Sequence, residues 1–152
     1  MSSVFTSAPI PLAAVARGFQ RADLIFHGLD HSGPSYEARI FFNRPDATEN
    51  TPQTPDQGYV DSFFIFGHGG CAGEPGHCDV PESRRPYDFR PQHQLTPATR
   101  WVTVTDAARR ALSAGRELTV TAVPVVTTTR RARPGEDADV MALERLSLVT
   151  YD

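Results

Sequence analysis

Lysine is absent from this 152-residue chain, and all 15 basic side chains are arginine. Schiff-base chemistry and any lysine acting as base or nucleophile are therefore excluded. Cysteine is scarce, with only Cys71 and Cys78, and Trp101 is the single tryptophan. No apolar run approaches the roughly 20 residues of a membrane span. The N-terminus, MSSVFTSAPIPLAAVARGF, carries no basic stretch ahead of its short apolar part. That argues against a secretory leader and sets a cytoplasmic location as the expectation. In that compartment a cysteine pair is more often thiols or ligands than a structural disulfide. The net charge of −3 offers no general attraction to nucleic acid or an anionic membrane. The pairs Arg84-Arg85, Arg109-Arg110 and Arg130-Arg131 are dispersed and balanced by acids. No serine sits in a nucleophile elbow, and the glycines of GHGGCAGEPG match neither phosphate-binding fingerprint.

What the chain does have is concentrated between Tyr59 and Asp79, YVDSFFIFGHGGCAGEPGHCD. The run Phe63-Phe64-Ile65-Phe66 has the length and composition of a buried strand. At Gly67 the character changes, and His68, Cys71, His77 and Cys78 follow among glycines. Glycine lets a backbone turn through positive φ and lets ligand atoms converge without Cβ clashes. Thiolate and imidazole together suit copper(I) or zinc. The spacing H-x2-C-x5-H-C is not a zinc-finger pattern, and a Cys71–Cys78 disulfide, or idle thiols beside solvent-facing histidines, are equally readable. His27 and His31 flank an earlier turn and are further metal-ligand candidates if the first and third expected strands are neighbours, so that both could approach His68. His93 is another.

Taken in order, residues 1–18 read as an extended N-terminal arm and 19–152 as a single domain. Strands are expected over residues 22–29 and 35–43; the second alternates Tyr36, Ala38, Ile40 and Phe42 against Glu37, Arg39 and Phe41. Residues 44–58 form a long polar loop, and 81–97 a Pro- and Arg-rich one. A short strand around Trp101 precedes a helix over 106–114, with Thr105 as N-cap and Gly115 at the stop. The run 117–127, ELTVTAVPVVT, is the strongest strand signal. Residues 140–151 alternate with one break near Arg145. With six or so strands and one short α-helix, the fold class is all-β: an antiparallel β-sandwich, jelly-roll or immunoglobulin-like. Its expected core is Phe26, Tyr36 or Phe42, Phe64, Phe66, Trp101, Val120 and Val123.

The succession FHGLD, YEARIFFN, GYVDSFFIFGHG, a short helix between VTVT and ELTVTAVPV, and a closing strand resembles the β-sandwich domain that follows the dicopper domain in plant polyphenol oxidases. More loosely it is similar to the terminal domain of molluscan haemocyanin subunits. The likeness spans about residues 20–150. It implies a non-catalytic accessory module, here freestanding, that shields a separately encoded copper oxidase or delivers metal to it, or that self-associates. It also implies copper rather than zinc for a site formed by His68, Cys71, His77 and Cys78. No catalytic residue carries over, because the oxidase chemistry belongs to the dicopper domain, which is not represented here. Two other functions remain open: a mononuclear metal enzyme using the same cluster, and a structural interaction domain closed by a Cys71–Cys78 disulfide. An enzyme would need an open coordination position in a concave pocket; a cover domain would show exposed apolar surface.

Overall fold

Alternation with period two decides most of the architecture, because each long strand buries one face. The computed structural model describes residues 4–15, 18–31, 33–67, 86–87, 96–126 and 140–152. Nine strands are described: β1 Phe5–Thr6, β2 Ile10–Pro11, β3 Arg21–Leu29, β4 Tyr36–Phe42, β5 Tyr59–Ile65, β6 Ala98–Thr103, β7 Glu117–Leu118, β8 Val120–Val126 and β9 Arg145–Tyr151. One α-helix, α1 Thr105–Ala114, lies between β6 and β7. One sheet has the order β1-β8-β4-β5, a second β6-β3-β9, and β2 pairs with β7 alone. All described pairings are antiparallel. The all-β sandwich with one short helix is what the sequence pattern predicts. No described helix is long and apolar enough to cross a membrane.

The core lies between the two larger sheets. From β3 it receives Ala22, Leu24 and Phe26, and from β4 Tyr36, Ala38, Ile40 and Phe42; Phe63 and Ile65 of β5 and Val120 and Ala122 of β8 join them. Phe26 and Phe63 meet across it with ring centroids 5.0 Å apart. A smaller cluster forms on the outer face of the four-stranded sheet, where Ala47 folds onto Phe41 and Val123. Loop 44–58 is therefore partly packed, and Arg39 helps hold it: its guanidinium bonds Glu37 at 2.9 Å and the Glu49 carbonyl at 2.9 Å.

Three expected core residues are placed outside it. Phe64 is 64% exposed, Phe66 78% and Trp101 60%. β5 and β6 are edge strands, each with one face on the core, so neighbours alternate: Phe63, Ile65 and Val102 go in while Phe64 and Trp101 go out. A strand of a two-layer sandwich turns one face to the core, and its other face is buried only where a further segment covers it, as Ala47 covers Phe41. Val123 is buried, but in the outer cluster.

The long run 117–127 is two strands. Asn43, at φ 53, exchanges bonds with Thr119 (Asn43 N to Thr119 O and Thr119 N to Asn43 Oδ1, each 2.9 Å) where the β4–β8 pairing ends at Phe42 and Val120, and this separates β8 from β7, which pairs with β2. Pro124 is tolerated in β8 because β1 covers only Thr121 and Ala122, so beyond them that side of β8 is an edge. The last strand starts at Arg145, where the alternation breaks, and not at residue 140. The helix buries Ala107, Ala108 and Ala111. Val104, not Thr105, is its N-cap; the Thr105 hydroxyl accepts from the Ala22 N–H at 3.1 Å, tying helix to β3. Arg109 turns back, donating to the Phe19 carbonyl at 3.1 Å with its guanidinium over the Phe19 ring.

Candidate functional site

β3 ends, β4 begins, β5 ends and β6 begins at the same end of the sandwich, where β8 also ends and β9 starts. The registers show this: Tyr36 faces both Ile65 and Val126, Leu29 faces Ala98, and His27 faces Arg145. Gly28 bulges here at φ +65, where a Cβ would run into the Glu144 side chain. The bulge shifts the phase, so Leu29 is buried and His27 stays on the outer face.

The turn 30–35 grips two points of the chain. A Cβ on Gly67 would collide with the Gly33 and Pro34 backbone, and the Gly67 N–H donates to Ser35 Oγ at 3.0 Å. His31 Nε2 donates to the Thr96 carbonyl at 2.8 Å. The same turn therefore anchors the chain where it leaves β5 and where it approaches β6. Beneath it, Tyr36 is 1% exposed and its hydroxyl has no hydrogen-bond partner among the described residues. Burial pushes its phenol up to about 12; the negative charge of Asp30 adds to the rise and Arg100 opposes it.

His68, Cys71, His77, Cys78 and His93 lie outside the described residues. His27 and His31 are described and are engaged separately. His27 Nε2 lies 3.2 Å from Ser147 Oγ and 3.5 Å from Arg145 Nη2. With Nε2 of His31 given to Thr96, a metal would be taken by that ring only through Nδ1 or after the bond breaks. Among the described residues no three His, Cys, Asp or Glu side chains gather as metal ligands.

What the sequence does not disclose is the company these groups keep. Arg145 and Ser147 reach His27 from a strand more than 115 residues away, and no local pattern signals that pairing. Phe64 is visible in the sequence only as one of four consecutive apolar residues. Knowing that Phe63 and Ile65 face the core would have assigned it to the surface.

No protein-family model matches the chain, and no curated protein does. Among solved structures, it is similar to a recombinantly expressed latent aurone synthase, a polyphenol oxidase, co-crystallised with hexatungstotellurate(VI). There the TM-score is 0.54 at 14% identity, covering 98% of this chain and 24% of that one. A latent aurone synthase from its natural source gives 0.53 at 15% identity, with the same coverage. The chain thus shares its fold with a quarter-length part of a polyphenol oxidase chain. At these identities the likeness concerns the fold alone.

Proposed function

We propose that this chain is a non-catalytic accessory module that docks on, and covers, the dicopper domain of a polyphenol-oxidase-type enzyme. The observation that carries the reading is the exposure of Phe64, 64% open on the outer face of the edge strand β5, beside the anchored turn. That ring offers the large apolar area that dominates interfaces, and such surface in water suits a partner. Sharing a fold with a quarter of a latent polyphenol oxidase supplies the class of that partner. The test is titration of a dicopper oxidase domain, freed of its own sandwich, with this chain. Wild type should bind and lower diphenol turnover; Phe64→Asp should do neither while keeping the wild-type melting temperature. Absence of any effect of wild type on binding and turnover overturns the docking reading, and concentration-dependent self-association in its place would favour a homo-oligomer.

The metal part of the proposal rests on chemistry. His68, Cys71, His77 and Cys78 would hold copper(I), or zinc as the alternative, as thiolates and neutral imidazoles, so affinity falls as pH drops. Competition of the reduced chain against a copper(I) chelator checks this. Cys71→Ser with Cys78→Ser should release the metal. Equal, weak retention by both forms removes the metal and leaves the Cys71–Cys78 disulfide, which a two-hydrogen mass loss without reductant would reveal.

A further inference from the structure

The outer face of the three-stranded sheet carries a group of side chains that the docking reading does not use. β3 is central, and its outward residues are Arg21, Asp23, Ile25 and His27, alternating with the buried Ala22, Leu24 and Phe26. In register, Trp101, Ile25 and Ser147 form one row across β6, β3 and β9, and His27 and Arg145 stand in the next row on that face. Neighbouring strands are about 4.8 Å apart and outward neighbours along a strand about 7 Å. The span from Trp101 to Ser147 is therefore about 10 Å, with Arg145 one step to the side.

The two arginines of this patch are engaged differently. Asp23, the buried acid of the face, is already held by Arg21 through both oxygens, at 2.9 and 2.8 Å. Arg145 makes no ion pair among the described residues; its contact is with His27 Nε2, 3.5 Å away, and Ser147 Oγ competes for the same nitrogen at 3.2 Å. A guanidinium brings five donors, and Arg145 is exposed, so those not spent on His27 face water and are open to an acceptor from a ligand. Glu144, next in sequence to Arg145, is exposed and lies against Gly28 instead. Among the described residues no acceptor-only group stands beside Arg145, and a carboxylate or sulfate ester would supply one with fork geometry.

One row away, Trp101 is 60% exposed with its indole on the same face. A flat sheet surface offers no enclosure for a small molecule, which needs a concave site. It suits an extended ligand with an apolar flat face, a polar edge and periodic negative charge. A pyranose ring has a C–H face that stacks on indole and hydroxyls at its rim, and acidic sugars carry such an acceptor.

We propose that this face binds acidic glycans, with a uronate carboxylate or sulfate ester held by Arg145 and Ser147 beside His27, and a neighbouring ring stacked on Trp101. The proposal is independent of the docking reading, whose residue, Phe64, lies on β5, so either can fail alone.

The single tryptophan makes the test direct, because indole fluorescence reports only this site. The full chain is titrated with an oligogalacturonate hexamer, its methyl ester, a sulfated oligosaccharide, a neutral cello-oligosaccharide and hexaglutamate. The oligogalacturonate is expected to quench Trp101 saturably at millimolar concentration or below, with an effect that salt weakens; the ester and the neutral sugar should not. A sulfated oligosaccharide binding more tightly assigns the acidic group to sulfate. Arg145→Ala, which keeps the reporter, should weaken binding about tenfold or more, the scale of a lost charged hydrogen bond. Arg110→Ala, an exposed helix arginine, should change nothing. Calorimetry on Trp101→Ala should show the binding lost. No saturable response to either acidic sugar, an equal response to the neutral one, or equal affinity for hexaglutamate would each overturn the assignment, the last pointing to an acidic protein segment.

Discussion

Tyr36 carries a polar atom into the core without a described partner, and that has a consequence in alkali. Burial, with Asp30 second, raises its phenol from 10.0 to about 12, so the folded state holds the proton more tightly than the unfolded one. A raised folded pKa gives stability that is fully present below pH 10 and lost as pH rises through 12. Tyr36→Phe removes the titration. At neutral pH it should alter stability by no more than about 1 kcal/mol, since no described hydrogen bond is broken. Between pH 10 and 12 the Phe variant should lose less stability than wild type in chemical denaturation, and parallel pH curves would show that Tyr36 does not titrate as argued. Gly67 is a residue whose type is legible in the sequence but whose reason is not. The sequence presents it as the hinge into a glycine-rich stretch. In the fold it is required by backbone-on-backbone approach to Gly33 and Pro34. Gly67→Ala should therefore cost about 1–3 kcal/mol, read as a shifted urea midpoint, and an unshifted midpoint would remove the clamp.

Along the strands, alternation makes β3 up to Phe26, β4 up to Ile40 and the inner face of β8 legible, because inward and outward positions keep phase there. It fails in β5, where Phe63, Phe64, Ile65 and Phe66 are all apolar and phase cannot be read from them. It fails again at Trp101, whose size suggests burial while its parity opposes that of Val102. Edge or central position is a matter of non-local pairing, which local residues do not encode. The corrected placement has a sharp test. Phe63 is nearly buried and packs on Phe26, so Phe63→Ala should cost about 3–5 kcal/mol. Phe64→Ala, one residue on, should stay within about 0.5 kcal/mol as a surface change does. Equal costs in thermal or urea denaturation would put β5 in the wrong phase. The helix limits are readable from Thr105, Asp106 and Gly115, but the Thr105 hydroxyl serves β3 and not the helix. Thr105→Val should cost about 1 kcal/mol by unpairing the Ala22 N–H, checked by the same melts.

Across the whole molecule, the first dozen described residues are tied to a segment more than a hundred positions later. Phe5 and Thr6 face Ala122 and Thr121, and Ile10 and Pro11 face Leu118 and Glu117. Between these short strands Ser7 N donates to the Val120 carbonyl at 2.9 Å and Val120 N to Ser7 Oγ at 3.0 Å, and Leu12 N donates to Arg116 O at 2.8 Å. Nothing in residues 4–15 alone foretells those partners, since their prolines and short apolar stretches fit any extended segment. The energetics follow from what they cover. Leu12 is 4% exposed in the main core, and Phe5 and Ile10 pack against it. β1 also shields the edge of β8, whose residues Val120 to Val123 are uncharged and rich in β-branched side chains. Deleting residues 1–15 should lose the burial of Leu12 and part of that of Phe5 and Ile10, offset by the entropy regained. The net cost is about 2–5 kcal/mol. It should also open an uncharged strand edge, which is a template for pairing with another copy. Pro124 limits how far such pairing runs, because it cannot donate to a new ladder. The shortened chain is therefore expected to unfold at lower urea and to associate with rising concentration in sedimentation. A shortened chain that keeps both the full urea midpoint and the monomeric state would show that β8 needs no cover and that the N-terminal strands merely rest on the sheet.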